Sequence, residues 1–186
     1  MILGLGATIE ARDPSTNGHC QRLAHYATKL GSSLGLDRGD LGALERGGFL
    51  HDIGKIAVPD SVLLKDGTLD RQESRVMRKH PIVGDSLCAG LRSLNKVWPI
   101  VRHHHERLDG TGYPDGLRNS EIPLLAQIIS IVDIFDALTT ERPYRGARPC
   151  DEAFQVLTDE SSKGWRDRVL VDAFVHIVAV GHSPRT

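Results

Sequence analysis

The chain has 186 residues, 40% of them hydrophobic and 25% charged, with a formal charge of −1, a balance that suits one globular domain and excludes a disordered chain. Without a basic surplus, polymeric DNA or RNA is not an expected partner, whereas a small anion stays open because a metal site can attract phosphate locally. Cys20, Cys88 and Cys150 lie far apart and form no CxxC pair, which points to a reducing cytoplasm. The apolar stretch 1–9 is much shorter than the roughly 20 residues of a spanning helix, and it lacks the basic start of a signal peptide. It reads as the first turns of a packed helix or as the remnant of a linker to an upstream domain, and no membrane segment is expected.

Apolar residues recur with helical spacing almost throughout, and no convincing strand pair is found, so the expected fold is all-α. Leu23, Ala24, Ala27, Leu30 and Leu34 form one face of a first helix, and Leu41 to Leu50 give a second. The second runs into His51-Asp52-Ile53-Gly54-Lys55, where Gly54 and then Pro59 predict a turn. Asp70 is the expected N-cap of a helix through Met77 towards His80, with Pro81 marking its end or a bend. Two short helices are expected between Val83 and His105, interrupted near Ser93 to Pro99.

The segment 109–116 carries three glycines and a proline in eight positions and must be a loop. Pro123 suits the start of a helix that is apolar nearly all round through Leu138, as a central buried helix should be. Asp151 is expected to cap a helix from Glu152 to Leu157, and an amphipathic helix from Arg168 to Val180 closes the chain.

Three groups of residues carry chemistry. His51-Asp52 places an imidazole and a carboxylate side by side, able to offer a nitrogen and a bridging oxygen to neighbouring cations. A surface His-Asp pair is the plain alternative, weakened by the apolar residues around it. In His103-His104-His105-Glu106 successive side chains point about 100° apart on a helix, so not all can face one site; we select His104 and His105. Asp133 stands in a helix too apolar to leave a charge unbalanced. Asp136, three residues on, shares its face, and pairing of either aspartate with Arg142 or Arg145 is the alternative to a metal.

In their order along the chain, Glu10-Ala-Arg-Asp-Pro-Ser-Thr-Asn-Gly-His19, Leu50-His-Asp-Ile-Gly-Lys-Ile-Ala-Val-Pro59, His104-His-Glu-Arg-Leu-Asp-Gly-Thr-Gly-Tyr-Pro114 and Asp133-Ile-Phe-Asp-Ala-Leu-Thr139 with Arg142-Pro-Tyr-Arg145 resemble the successive motifs of the HD-GYP family. The resemblance implies an HD-domain helical bundle, taken as one domain over 1–186 with a motif-bearing core of about 8–157 and a C-terminal helical segment over 158–186. It further implies a metal-dependent phosphodiesterase that hydrolyses cyclic di-GMP to linear pGpG and onward to GMP. Cyclic GMP-AMP is the sibling substrate, and a weakly catalytic module that binds a ligand or a diguanylate cyclase (GGDEF) domain is the reading from another class. Such domains commonly follow a receiver or sensor domain.

Carried over position by position, the resemblance makes His19, His51, Asp52, His80, His104, His105 and Asp133 metal ligands, with Asp52 bridging two ions. Lys55 and Asp52 become the catalytic pair, and Lys55, Gly112, Tyr113, Asp136, Arg142 and Arg145 the substrate-binding set. Mixed histidine and carboxylate ligation suits iron first and manganese next. Two ions are expected rather than three, because Ser15 occupies the place of a glutamate that accompanies a third metal in some members. Gly164-Trp-Arg-Asp-Arg-Val-Leu-Val171 departs from the family's usual turn. His25, His176, His182 and Cys20 are read as packing or surface residues, and His103 at most as a supporting partner.

Overall fold

The computed structural model describes Gly4 and residues 9–12, 18–141 and 146–182. After a helical turn over residues 9–12, the chain runs through α1 (His19–Ser33), α2 (Arg38–Leu50), a 3₁₀ segment (Ile53–Ala57), the short α3 (Asp60–Leu63), α4 (Arg71–Met77), α5 (His80–Cys88) and α6 (Trp98–His103). Then come α7 (Leu124–Thr139), α8 (Cys150–Ser162) and α9 (Arg168–His182). Among the described residues no strand forms, and a lone bridge pairs Asp109 with Arg118 across the loop between α6 and α7. The all-α reading holds. No helix among these residues is long and apolar enough to cross a membrane.

The centre is α7, whose Ile128, Ile129, Ile131, Val132 and Phe135 are all buried. It packs against α1, α2, α6 and α8. Leu170, Val171, Phe174 and Val178 of α9 enter the same apolar cluster as Leu23 and Leu30 of α1, so the C-terminal segment joins the core despite its unusual turn. The expected capping by Asp70 is present as a capping box, its carboxylate accepting from the backbone N–H groups of Gln72 and Glu73.

Three local expectations are corrected. Pro81 starts a helix rather than ending one: it sits in the first turn of α5, where a missing N–H costs nothing. Asp151 lies inside the first turn of α8, whose N-cap is Pro149, so its charge faces the helix dipole without capping it. Gly54 does not loosen a turn. It is buried in the 3₁₀ segment, and a Cβ there would stand 1.9 Å from the carbonyl oxygen of His80. Only a glycine lets this segment lie flat on α5, and that contact sets Asp52 beside His80.

Candidate metal centre

The end of α2, the start of α5, the end of α6, the start of α1 and the middle of α7 converge at one place. Two clusters form there, His19 with His51 and Asp133, and Asp52 with His80, His104 and His105, each with its ligand atoms within 4.8 Å of one another. Asp52 joins them: Oδ2 lies 3.3 Å from His51 Nε2, while Oδ1 lies 3.1 Å from His80 Nε2 and 3.9 Å from His104 Nε2. One carboxylate thus turns an oxygen to each cluster.

The histidines are oriented by what their other nitrogen meets. Nδ1 of His51 donates to Gly48 O at 3.1 Å, that of His80 to Met77 O at 2.9 Å and that of His104 to Val101 O at 2.9 Å. Each acceptor lies in the turn just before its histidine, so a helix end fixes the ring. A carbonyl only accepts, so in the neutral ring the proton sits on Nδ1 and the lone pair of Nε2 faces the centre. His19 is held otherwise, its Nδ1 donating to Asp136 Oδ2 at 2.7 Å.

This pattern is the test of whether cations fit. Nε2 of His19 lies 3.4 Å from Nε2 of His51, and the same distance separates Nε2 of His80 from that of His104. Lone pairs confront one another there, and with Asp52 and Asp133 they make two nests of nitrogen and oxygen donors that a divalent cation satisfies. Burial, reinforced by the neighbouring imidazoles, holds His104 and His105 well below the ordinary histidine pKa, leaving them neutral as ligands must be. Burial pushes His51 the same way, but Asp52 outweighs it and lifts its pKa. Burial also opposes the charge of Asp52, yet Lys55, His51 and His80 overcome this and keep the carboxylate well below its usual range. Lys55 Nζ is 2.6 Å from Asp52 Oδ2.

Tyr113 stacks on His105, with ring centroids 4.7 Å apart, at the edge of the second cluster. Burial and then Asp52 push its phenol pKa up, so it keeps its proton. Two members of the expected substrate set lie in close packing. Asp136 is 2% exposed and turned to His19 and Arg22. Gly112 lies close against its neighbours: a Cβ there would meet the backbone of Glu106 and Arg107 at 2.4 Å. Arg142 and Arg145 lie outside the described residues, as does Ser15. Of the other histidines, His25 and His176 are exposed, and His103 lies 3.4 Å from Asp115. Cys20 is buried, its thiol against Phe49 O.

The HD domain family model matches residues 5–170. The chain belongs to the HD domain family. Relatives of this HD domain include the cyclic di-GMP phosphodiesterase response regulator RpfG of Xanthomonas campestris pv. campestris, 44% identical over 82% of this chain and 41% of the relative. Another is the 3'3'-cGAMP-specific phosphodiesterase 3 of Vibrio cholerae, 38% identical over 86% of this chain and 35% of the relative. The chain therefore spans well under half the length of either. Among solved structures, Bd1817, a HDG"Y"P protein from Bdellovibrio bacteriovorus, superposes with a TM-score of 0.72 at 25% identity, over 87% of this chain and 51% of that one.

Several groups that support the site of the HD domain were not singled out by sequence. Arg22 grips Asp136 with Nε at 2.5 Å and Nη2 at 3.0 Å. Its place one turn after His19 was the available signal. Glu106, 2% exposed, accepts the backbone N–H groups of Asp115, Gly116 and Leu117, fastening the glycine loop behind His105. Arg166, from the segment that departs from the family pattern, donates to Glu106 O and Ser130 Oγ. Arg12 donates to the carbonyls of Lys55, Ile56 and Val58 and to Asp60. These partners lie too far along the chain for periodicity to reveal.

Proposed function

We propose that the chain is a metal-dependent phosphodiesterase that hydrolyses cyclic di-GMP to linear pGpG and onward to GMP. The observation that carries this reading is the division of Asp52 between two histidine clusters, one oxygen to each. His19, His51 and Asp133 would hold one divalent cation, His80, His104 and His105 the other, with Asp52 shared. Iron is the first choice and manganese the second, since mixed imidazole and carboxylate donors suit both. When bound, such a pair supplies Lewis-acid polarisation of a phosphodiester and activation of water near neutral pH.

The chain's own residues do the rest. Lys55, beside Oδ2 of Asp52, is placed to offset charge on a non-bridging phosphoryl oxygen as the bond to the leaving ribose oxygen lengthens. Tyr113, kept protonated, offers its phenol as a donor at the rim. Asp136 holds the His19 proton on Nδ1, so that Nε2 stays a ligand atom. Arg142 and Arg145 complete the phosphate-binding set in this proposal.

The name of the Xanthomonas relative supports cyclic di-GMP, and that of the Vibrio relative keeps cyclic GMP-AMP as a second substrate. A receiver or sensor domain on a longer polypeptide and a GGDEF partner belong to the same proposal, in line with the response-regulator name. A cytoplasmic location is supported by the free cysteines Cys20, Cys88 and Cys150. The test is metal analysis of anaerobically purified protein beside chromatography of both cyclic dinucleotides after incubation. About two ions per chain with linear product is expected. Metal-free protein that binds cyclic di-GMP without cleaving it sinks the enzyme and leaves the binding module.

A further inference from the structure

Tyr113 is layered between groups of different kinds. Its ring lies on His105 at an interplanar angle of 27°, and the guanidinium carbon of Arg78 lies over the same ring, 5.0 Å from its centre. His105, Tyr113 and Arg78 form one wall that starts at the second cluster and ends at an exposed side chain. The placement of Arg78 is tied to the site by the backbone. It is the C-cap residue of α4, in the turn whose Met77 carbonyl receives His80 Nδ1–H. The turn that aims a ligand also carries the arginine.

Several other cations near the centre are committed. Arg22 sits on Asp136, Arg102 on Asp85 and Asp115, and Arg166 on Glu160. Arg107 lies on the ring of Trp165 at 3.7 Å. Among the described residues Arg78 makes no ion pair, and its guanidinium lies over the face of a phenol. A guanidinium stacked on a ring keeps its N–H edge available, and that edge matches two oxygens of a phosphate.

A cyclic dinucleotide carries two phosphodiesters in one ring. The two clusters and Lys55 address the one that is cleaved, and its twin calls for a cation at the rim of the same cleft, in addition to Arg142 and Arg145 of the phosphate-binding set proposed above. We propose that Arg78 is a further substrate-binding residue, its guanidinium holding the phosphate that is not cut. This rests on the phosphodiesterase reading and adds a specificity contact to it, one that favours two-phosphate rings over simple diesters.

The experiment compares Arg78→Ala and Arg78→Lys with the parent protein, loaded with metal, on cyclic di-GMP, cyclic GMP-AMP and bis(p-nitrophenyl) phosphate. Losing a charge-assisted contact should raise KM for both cyclic dinucleotides by about tenfold in Arg78→Ala, with Arg78→Lys in between. The rise should exceed that for the one-phosphate ester several-fold. An equal change on all three substrates, or none, overturns the assignment. A rise confined to cyclic di-GMP would mean that Arg78 reads a guanine, which also overturns it. The parent reading fails separately if the unmodified protein cleaves neither cyclic dinucleotide. In that event Kd for cyclic di-GMP, measured by calorimetry on parent and Arg78→Ala, still decides Arg78: weaker binding supports the contact, and equal binding removes it.

Discussion

The two histidine–carboxylate clusters are built by different means. In the second, His80 and His104 are each aimed by a carbonyl of the preceding turn, and His51 of the first is held in the same way. His19 depends instead on a side chain that is 117 positions away, Asp136, itself gripped by Arg22. A ring fixed by its own helix end forms as soon as the helix does. A ring fixed by a distant carboxylate requires α1 and α7 to have packed first. The main-chain arrangement cannot be removed by a side-chain substitution, whereas the other can be removed by one, so the first cluster should be the fragile half of the site.

The largest effect is expected where this distinction disappears. Asp52→Asn removes a charge from both clusters at once, and turnover should fall by more than the roughly 100-fold that losing a supporting group costs. Metal analysis should show both ions weakened. An Asp52→Asn protein that keeps two ions and appreciable turnover would break the picture of a shared carboxylate. Gly54→Ala tests the backbone side of the comparison without altering a ligand side chain. The added methyl would collide with His80 O, and overpacking of this kind costs about 1–3 kcal/mol. Thermal unfolding should show a drop of several degrees, with loss of metal from the second cluster.

Asp136→Asn addresses the fragile half directly. The amide keeps the shape of the carboxylate but loses its charge towards His19 and Arg22, so one of two ions should bind about 10- to 100-fold more weakly. Titration of the metal-free protein should resolve one weakened and one unaltered step, and equal weakening of both would contradict the asymmetry. Glu106→Gln comes next. The new NH₂ group would confront a backbone N–H of the loop, at a cost of about 1–3 kcal/mol. Its effect should be read as a raised KM through Tyr113 rather than as lost metal.

What could be read in the sequence follows the same division. Metal chemistry restricts ligand types so sharply that His51-Asp52, His104-His105 and Asp133 stood out, and helical periodicity supplied the central α7. Periodicity gives a face and not a partner, as Asp136 shows. Three residues on a helix turn the chain by about 300°, so Asp136 is offset from Asp133 by enough to pass behind His19 instead of joining it. Arg12 was silent because it acts through contacts that exist only after distant segments meet, and Arg22 offered no more than its spacing from His19. Gly54 and Gly112 were legible as glycines but not for the right reason. A turn and a close approach call for the same residue, and only the neighbouring backbone tells them apart.

The smallest effect tests whether distant anchoring extends beyond the ligands. Arg12 donates to the carbonyls of Lys55, Ile56 and Val58 at 3.3, 3.0 and 3.1 Å and to Asp60 at 2.6 Å. Asp60 is well exposed, and an exposed ion pair contributes about 0–1 kcal/mol. The three carbonyl contacts therefore matter more, since they hold the strand of backbone from which Lys55 reaches Asp52. Arg12→Ala should lower kcat by a few-fold, a loss of about 1 kcal/mol in positioning, while metal content stays at the parental level because no ligand is touched. Asp60→Asn removes the ion pair and keeps the carbonyl contacts, so it should cost less than Arg12→Ala in the same assay. If the two variants lose equal activity, the strap works through its surface charge, and distant anchoring stops at His19 and the glycine loop.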